Sequence, residues 1–195
     1  NPDLKPEESE AFEVGLKYNT DFLRAHIAGF YRKGKNMIDW VKEKPEDIWE
    51  SQNLTKVDNL GFETNLSLLP RELGNERFFI RKIELGYAFI HQDKDSEGYI
   101  SNYALDYLKH KFTAQLSHSI WKGFSATWYV RWQDRAGSYT KYENLKPAYE
   151  EPYAPYCLVD MKVNWEYQRL NLYAELNNLL NSCLLYTSPS PRDMR

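Results

Sequence analysis

Apolar and polar residues alternate along this chain with a period of two, in stretches longer than a strand of a water-soluble protein needs. A period of two is the repeat of a β-strand, whose successive side chains point to opposite faces. Phe12, Val14, Leu16 and Tyr18 alternate with Glu13, Gly15, Lys17 and Asn19, and Leu23, Ala25, Ile27, Gly29 and Tyr31 with Arg24, His26, Ala28 and Arg32. The pattern returns from Leu60 to Leu68, Lys82 to Phe89, Lys111 to Ser117, Phe124 to Gln133, Val159 to Glu166 and Leu170 to Asn177. Most of these eight stretches are read as strands of roughly 9–14 residues, enough to cross a bilayer at a tilt. Soluble strands cluster near about 5–6 residues.

The connections divide into two kinds. Asn19-Thr20-Asp21, the segment Pro70 to Arg77, Trp121-Lys122-Gly123 and Gln168-Arg169 are short turns, whereas 36–55, 93–103 and 134–153 are long polar stretches. Short periplasmic turns and long extracellular loops are the signature of an outer-membrane barrel. With that polarity the first strand descends, residues 1–9 lie outside, and the last strand ascends without a successor. The expected fold is therefore all-β: an antiparallel transmembrane β-barrel fragment of about eight strands, incomplete and missing its last strand.

Composition fits strands with two unlike faces. Aromatic residues make up 15 % of a chain that is 27 % charged, with a mean hydropathy of -0.71. Interfacial aromatic girdles on strands with one wet face produce that mixture. A net charge of -3 argues against a nucleic-acid partner. No apolar run is long enough for a transmembrane helix. Cys157 and Cys183 are too few for a disulfide framework.

Several motifs, taken in order, resemble one family. Asn1-Pro2-Asp3-Leu4-Lys5-Pro6-Glu7, followed by Ser9, Glu13, Gly15 and Lys17, resembles the entry into a descending strand of TonB-dependent receptors. Phe30-Tyr31 with Ile38 and Trp40 looks like the next strand top, and Asn53, Val57, Gly61 and Glu63 like the following descent. Leu158-Val159-Asp160 and the run from Leu172 to Asn181 resemble the penultimate strand pair, which ends in an NNLFN-like sequence. The stretch from Tyr107 to Tyr139 also resembles vitamin B12-type receptors of the Bacteroidota. The resemblance covers residues 1–182 and implies a 22-stranded, plugged barrel in the bacterial outer membrane, of which these would be strands fourteen to twenty-one. From Cys183 the pattern departs: alternation stops, and Pro189 and Pro191 stand where a strand is due. Residues 183–195 read as a non-native, adapter-derived, disordered tail.

The resemblance implies binding and gated import of a scarce large ligand (cobalamin, haem or a ferric siderophore), with no covalent catalysis and no cofactor. The partners it implies are outer-membrane lipid, the small-molecule or metal-chelate ligand, the plug and remaining barrel strands, and the TonB–ExbB–ExbD energising complex. Arg24, His26, Arg32, Lys82, Glu84, Lys109, Lys111, Arg131, Asp160, Lys162 and Glu175 are expected inside the barrel. There they would hold the plug through charge-assisted hydrogen bonds, or simply be hydrated. Trp40, Trp49, Tyr99, Tyr103, Tyr139, Tyr142, Tyr149 and Tyr153 are expected on or beside extracellular loops, to stack on a ligand or to pack the loops. Trp121, Trp128, Trp132 and Trp165 fall on the outward face as membrane anchors.

Metal and catalytic readings are poorer. Asp93 to Gly98 opens like a calcium loop, but Ala104 stands where a bidentate Glu is needed, so a solvated hairpin tip is expected. His26, His91, His110 and His118 are read as lying on different strands, without ligand spacing. Two alternatives stay open here, an outer-membrane barrel enzyme and a soluble β-sandwich that binds carbohydrate or mediates adhesion. The sandwich predicts its apolar face sealed between two sheets.

Overall fold

The computed structural model describes residues 3–44, 47–73, 78–95, 98–101, 107–143 and 146–182. Its main element is one antiparallel sheet. The strands are β1 (Glu8–Asn19), β2 (Leu23–Lys42), β3 (Glu50–Leu68), β4 (Ile80–Asp95), β5 (Ile100–Ser101), β6 (Leu108–Trp121), β7 (Phe124–Arg135), β8 (Ser138–Glu143), β9 (Lys146–Pro152), β10 (Tyr156–Tyr167) and β11 (Leu170–Leu176). The sheet runs β1-β2-β3-β4-β6-β7-β10-β11, with β5 attached to β2, while β8 and β9 form a separate hairpin. All eight strands expected from alternation are present, each hydrogen-bonded to its sequence neighbour in that series. The 13 residues from 183 lie outside the described residues.

The register keeps every alternation in phase. On one face, Ala25, Leu66, Leu85, Ala114, Val130 and Val159 form a continuous row across six strands. The row beside it runs Leu23, Leu68, Ile83, Leu116, Trp128, Met161 and Leu176. Aromatic groups flank this aliphatic band. Phe62 tilts against Tyr87 and Phe89 toward the long-loop end, and Phe124, Trp165 and Tyr167 stack in series beside the short turns.

This face is bare. Phe12 is 69 % exposed, Val14 78 % and Leu16 69 %, and among the described residues no second sheet lies on it, as the sandwich alternative requires. Leaving a large apolar side chain in water rather than burying it forfeits about 1.5–3 kcal/mol, so so extensive a face belongs in apolar surroundings. Three polar side chains within its apolar band find partners on the sheet itself. Thr64 donates to the His26 carbonyl, Tyr87 Oη lies 2.8 Å from His110 Nδ1, and Trp128 Nε1 donates to His118 Nε2 at 3.2 Å. A bilayer interior imposes that requirement because it supplies no water.

Several expected boundaries move. The polar stretch 36–55 is largely strand: β2 and β3 stay paired up to Val41 opposite Glu50, leaving 43–49 as the connection. Polar residues extend a ladder readily where both faces are wet, so hydropathy alone stops these strands too early. Asp93, Lys94 and Asp95 are likewise strand residues of β4, which carries the ladder up to the tip, and Ser96 and Glu97 lie outside the described residues. The stretch 134–153 contains the β8–β9 hairpin. His110 and His118 share β6, one near each end, instead of lying on different strands. Finally, β11 stops at Leu176. Asn178 takes φ 54° and donates its backbone N–H to Asp160 Oδ1 at 2.7 Å, turning the chain back over β10.

Two glycines are required by geometry. Gly123 closes the β6–β7 turn at φ 75°, and an added Cβ would collide with the Glu166 carbonyl. At Gly61 the Phe30 ring and the Phe89 carbonyl occupy the place of a side chain, each 2.5 Å from where a Cβ would be.

Candidate functional site

The opposite face carries the polar half of each alternation. One row reads Lys17, His26, Asn65, Gly86, Thr113, Arg131 and Leu158, and the next reads Asn19, Arg24, Ser67, Glu84, Gln115, Tyr129 and Asp160. Both rows, apart from Leu158, line an open cavity of about 470 Å³ that reaches from β1 to Asp160 of β10. A single cavity bounded by so many adjacent strands puts this face on the inside of the sheet's curve.

The expected inner residues fall here by register: Arg24, His26, Arg32, Lys82, Glu84, Lys111, Arg131, Asp160, Lys162 and Glu175 share the face. Lys109 sits at a register shift between Leu108 and His110 and has no partner across the ladder. Charged neighbours pair along the wall. Lys82 meets Glu84 at 2.8 Å, Lys162 meets Glu175 at 2.7 Å, and His26 lies 3.9 Å from Glu63. Lys162 also stands 4.3 Å above the Tyr173 ring. These groups are a quarter to a half exposed, so each pair contributes little stability while leaving donors and acceptors facing the cavity. Asn19, Asn65, Ser67, Thr113, Gln115 and Tyr129 line the same cavity. Sequence reading passed over them as site residues because it weighted charge; shared parity with Arg24, Glu84 and Arg131 is the signal that finds them.

Toward the long-loop end the wall continues as β2, β3 and β4. Asn36, at φ 55°, breaks the alternation of β2. Beyond it Asp39 and Val41 are buried at 4 % and 1 %, whereas Ile38 and Trp40 are exposed. The Met37 sulfur packs 3.0 Å from where a Gly34 Cβ would stand. Lys94 Nζ is buried here, without a hydrogen-bond partner among the described residues. Burial pushes its ammonium below the ordinary lysine value, and the Asp39 carboxylate pulls it partly back. β5 returns to pair with Val41 and Lys42 along the edge that β1 leaves uncovered.

The loop aromatics separate into two groups. Lys42 Nζ stands 4.7 Å over the Trp49 ring near the β2–β3 tip. On the other side, Tyr139 and Tyr153 stack at 5.6 Å, Arg135 covers Tyr153 at 5.1 Å, and Tyr139 Oη donates to Glu151. Trp40, Tyr139 and Tyr149 lie on the strands beside those loops, because the ladders extend further than hydropathy implied. Tyr99 immediately precedes β5. Tyr103 and the side chain of Tyr142 lie outside the described residues. Trp121, Trp128, Trp132 and Trp165 all take outward ladder positions, opposite Phe124, Leu116, Phe112 and Phe124 respectively.

The motifs read separately in sequence meet in space. The Asn53 side chain accepts the Lys5 N–H at 2.8 Å and donates to the Lys5 carbonyl at 3.0 Å, and Glu7 Oε1 accepts the Ile38 N–H at 2.8 Å.

Comparison with known proteins gives one family. The family described as TonB dependent receptor-like, beta-barrel matches residues 1–179. A curated relative, the vitamin B12 transporter BtuB of Vibrio vulnificus, is 27 % identical over 46 % of this chain and 17 % of its own length. Among solved structures, the copper transporter OprC superposes with a TM-score of 0.67 at 16 % identity, covering 93 % of this chain and 27 % of that one. The FrpB iron transporter of Neisseria meningitidis gives 0.64 at 16 % identity, covering 92 % and 28 %. A ferric enterobactin receptor of Pseudomonas aeruginosa in complex with enterobactin gives 0.64 at 22 % identity, covering 92 % and 27 %. At these identities the structures establish the fold, and the chain spans between a sixth and a third of its relatives' length.

Proposed function

The chain belongs to the TonB-dependent receptor β-barrel family of outer-membrane proteins, and from that premise we infer that it forms eight strands of a receptor wall for energised import of a scarce large ligand. The single observation that carries this reading is the division of one sheet into two unlike faces. A bare aliphatic band with aromatic flanks faces one way, and a polar cavity lined from β1 to β10 faces the other.

The outward face suits lipid, with Trp121 and Trp165 anchoring at the short-turn side and Trp132 at the opposite side. The inner rows suit a wet lumen holding a plug. Arg24, Arg131, Glu84 and Asp160 present both signs of charge to it and accept or donate charge-assisted hydrogen bonds. The Tyr139–Tyr153 stack and the Trp49 pair supply rigid aromatic surface beside the long loops, fitted to a planar or cyclic metal chelate or a corrinoid. No step in this scheme makes or breaks a covalent bond of the cargo. TonB and its partners supply the work, acting through parts of the receptor other than this chain.

The test is uptake by cells carrying the full-length receptor as their only importer, offered cobalamin, haem or ferric enterobactin separately. Accumulation of one cargo that disappears when TonB is deleted supports the reading. Accumulation that is unchanged without TonB overturns the import mechanism, and growth on none of the three overturns the cargo class.

A further inference from the structure

Two arginines meet on one hydroxyl where the inner face ends at the short turns. Ser119 lies opposite Ser125, in unbroken register with the Ser117–Thr127 pair, so its side chain belongs to the polar face. Arg71, in the short 3-10 turn Pro70–Leu73, donates from Nη2 to Ser119 Oγ at 2.7 Å and from Nε to the Phe78 carbonyl at 3.0 Å. Arg81 donates from Nε to the same Ser119 Oγ at 2.9 Å. The ladder shifts register between Ile80 and Lys82, which releases Arg81 from strict alternation and lets it reach inward.

The neighbouring inner row shows how this wall treats its other cations. That row reads Lys82, Ser117, Thr127 and Lys162. Lys82 holds Glu84 at 2.8 Å and Lys162 holds Glu175 at 2.7 Å. Among the described residues neither Arg71 nor Arg81 has a carboxylate. Two guanidiniums drawn onto one neutral oxygen repel each other, and an anion between them relieves the repulsion. The donors to receive it are in place. A hydroxyl that accepts two hydrogen bonds still has one proton to give, and most N–H groups of both guanidiniums are unused, in the fork geometry that matches a carboxylate.

The wall beside the arginines says what carries that carboxylate. Ser117, Ser119, Ser125 and Thr127 are all short, and the Ser117 and Thr127 hydroxyls lie 3.1 Å apart. Short hydroxylated side chains let a polypeptide backbone approach closely and offer its N–H and C=O groups partners. A small free anion would use the arginines alone, whereas a peptide uses both features.

We propose that Arg71, Arg81 and Ser119 clasp the carboxylate of one Asp or Glu on the segment of the full-length receptor that fills the lumen, with that segment's backbone over the short hydroxylated residues of β6 and β7. The proposal rests on the reading of the polar face as a plugged lumen. It gives the plug a fixed point at the short-turn end of the wall, on residues separate from Arg24 and Arg131 of the cavity.

The experiment is a zero-length cross-link in purified full-length receptor. Arg71→Lys keeps the positive charge and puts a primary amine at the site, which carbodiimide joins to a touching carboxylate with loss of water. Mass spectrometry is expected to find position 71 linked to one Asp or Glu outside residues 1–182. No link, or links only to carboxylates within residues 1–182, overturns the proposal, and the site would then hold a free anion. A link found in whole membranes only to a second protein overturns the assignment to the receptor's own segment. Hydrogen exchange gives an independent reading. In the R71Q/R81Q variant the peptide carrying the linked carboxylate is expected to exchange about tenfold faster, the loss of one charge-assisted hydrogen bond, while β4 and β6 amides keep their protection. Unchanged exchange in that peptide overturns the clasp. The cross-link is made in a variant that keeps its charge, so it stands apart from any folding defect in the double variant. Neither arm reads cargo uptake: uptake that persists without TonB would overturn import and leave the link standing, and a missing link beside TonB-dependent uptake would overturn the clasp alone.

Discussion

The Asn53 side-chain amide closes two hydrogen bonds with the Lys5 backbone, one accepted at 2.8 Å and one donated at 3.0 Å, across 48 residues of sequence. It also donates to the Asn36 carbonyl, at the left-handed residue of β2. One side chain therefore stands in for a ladder where β1 has not yet begun, and joins the residues before β1 to the β2–β3 hairpin. Asn53→Asp replaces the donor nitrogen with a second acceptor, so the Lys5 and Asn36 carbonyls each lose a partner. Each lost bond is worth about 0.5–1.5 kcal/mol. Hydrogen exchange at the Lys5 and Ile38 amides is expected to accelerate in full-length receptor. Unchanged exchange at both would show that the segment is held by other contacts.

Tyr87 and His110 form a polar pair on the outward face, Oη to Nδ1 at 2.8 Å, among Phe89 and Trp132. Tyr87→Phe leaves the ring nitrogen without its partner in apolar surroundings, a cost of about 1–3 kcal/mol. Removing both groups, in Tyr87→Phe with His110→Leu, is expected to cost less than the two single changes added together. Denaturant unfolding of the receptor in lipid gives the cycle, and strict additivity would mean that the two groups do not interact.

Leu85 and Thr113 lie on adjacent strands and opposite faces, Leu85 in the aliphatic row and Thr113 in the cavity row. Leu85→Arg places a guanidinium in the centre of the apolar band and should cost about 2–4 kcal/mol, as for a midplane charge on a barrel's lipid face. Thr113→Arg places the same group among waters and should leave assembly intact. The readout is the fraction of heat-modifiable, folded receptor in the outer membrane. Equal damage from the two changes would contradict the assignment of faces.

Lys94 gives a pH signature. Its folded-state value is depressed below the ordinary 10.5, chiefly by burial. Between the two values the unfolded tip binds more protons than the folded one, so stability rises with pH through that window. Protection of β4 amides near Lys94, corrected for intrinsic exchange, is therefore expected to increase toward alkaline pH, and Lys94→Met to abolish the increase. A slope that survives the substitution would assign the effect to another group.

Much of this architecture could be read in one dimension because a strand's side-chain period is fixed. Once Phe124, Ala126, Trp128, Val130 and Trp132 alternate with polar residues, their common face follows from backbone geometry. Strand ends were harder to read. Hydropathy marked where β2 leaves the apolar region near Arg32, but the ladder continues to Lys42 because hydrogen bonds between strands do not depend on side-chain polarity. The face change at Asn36 was invisible for a similar reason: it comes from a single positive φ and not from any pattern of residue types.

What the sequence by itself determined is therefore the eight strands of the main sheet path, their two faces and the places of the short turns, since each is a local property of alternation and turn chemistry. Only the tertiary structure decided which neutral residues share the cavity with the charged ones, that Asn53 meets Lys5, that Tyr87 satisfies His110, and that Arg71 and Arg81 meet on Ser119. Those relationships depend on register between strands distant in sequence. Register is set by the sum of the cross-strand contacts and by the turns, so no single segment encodes it.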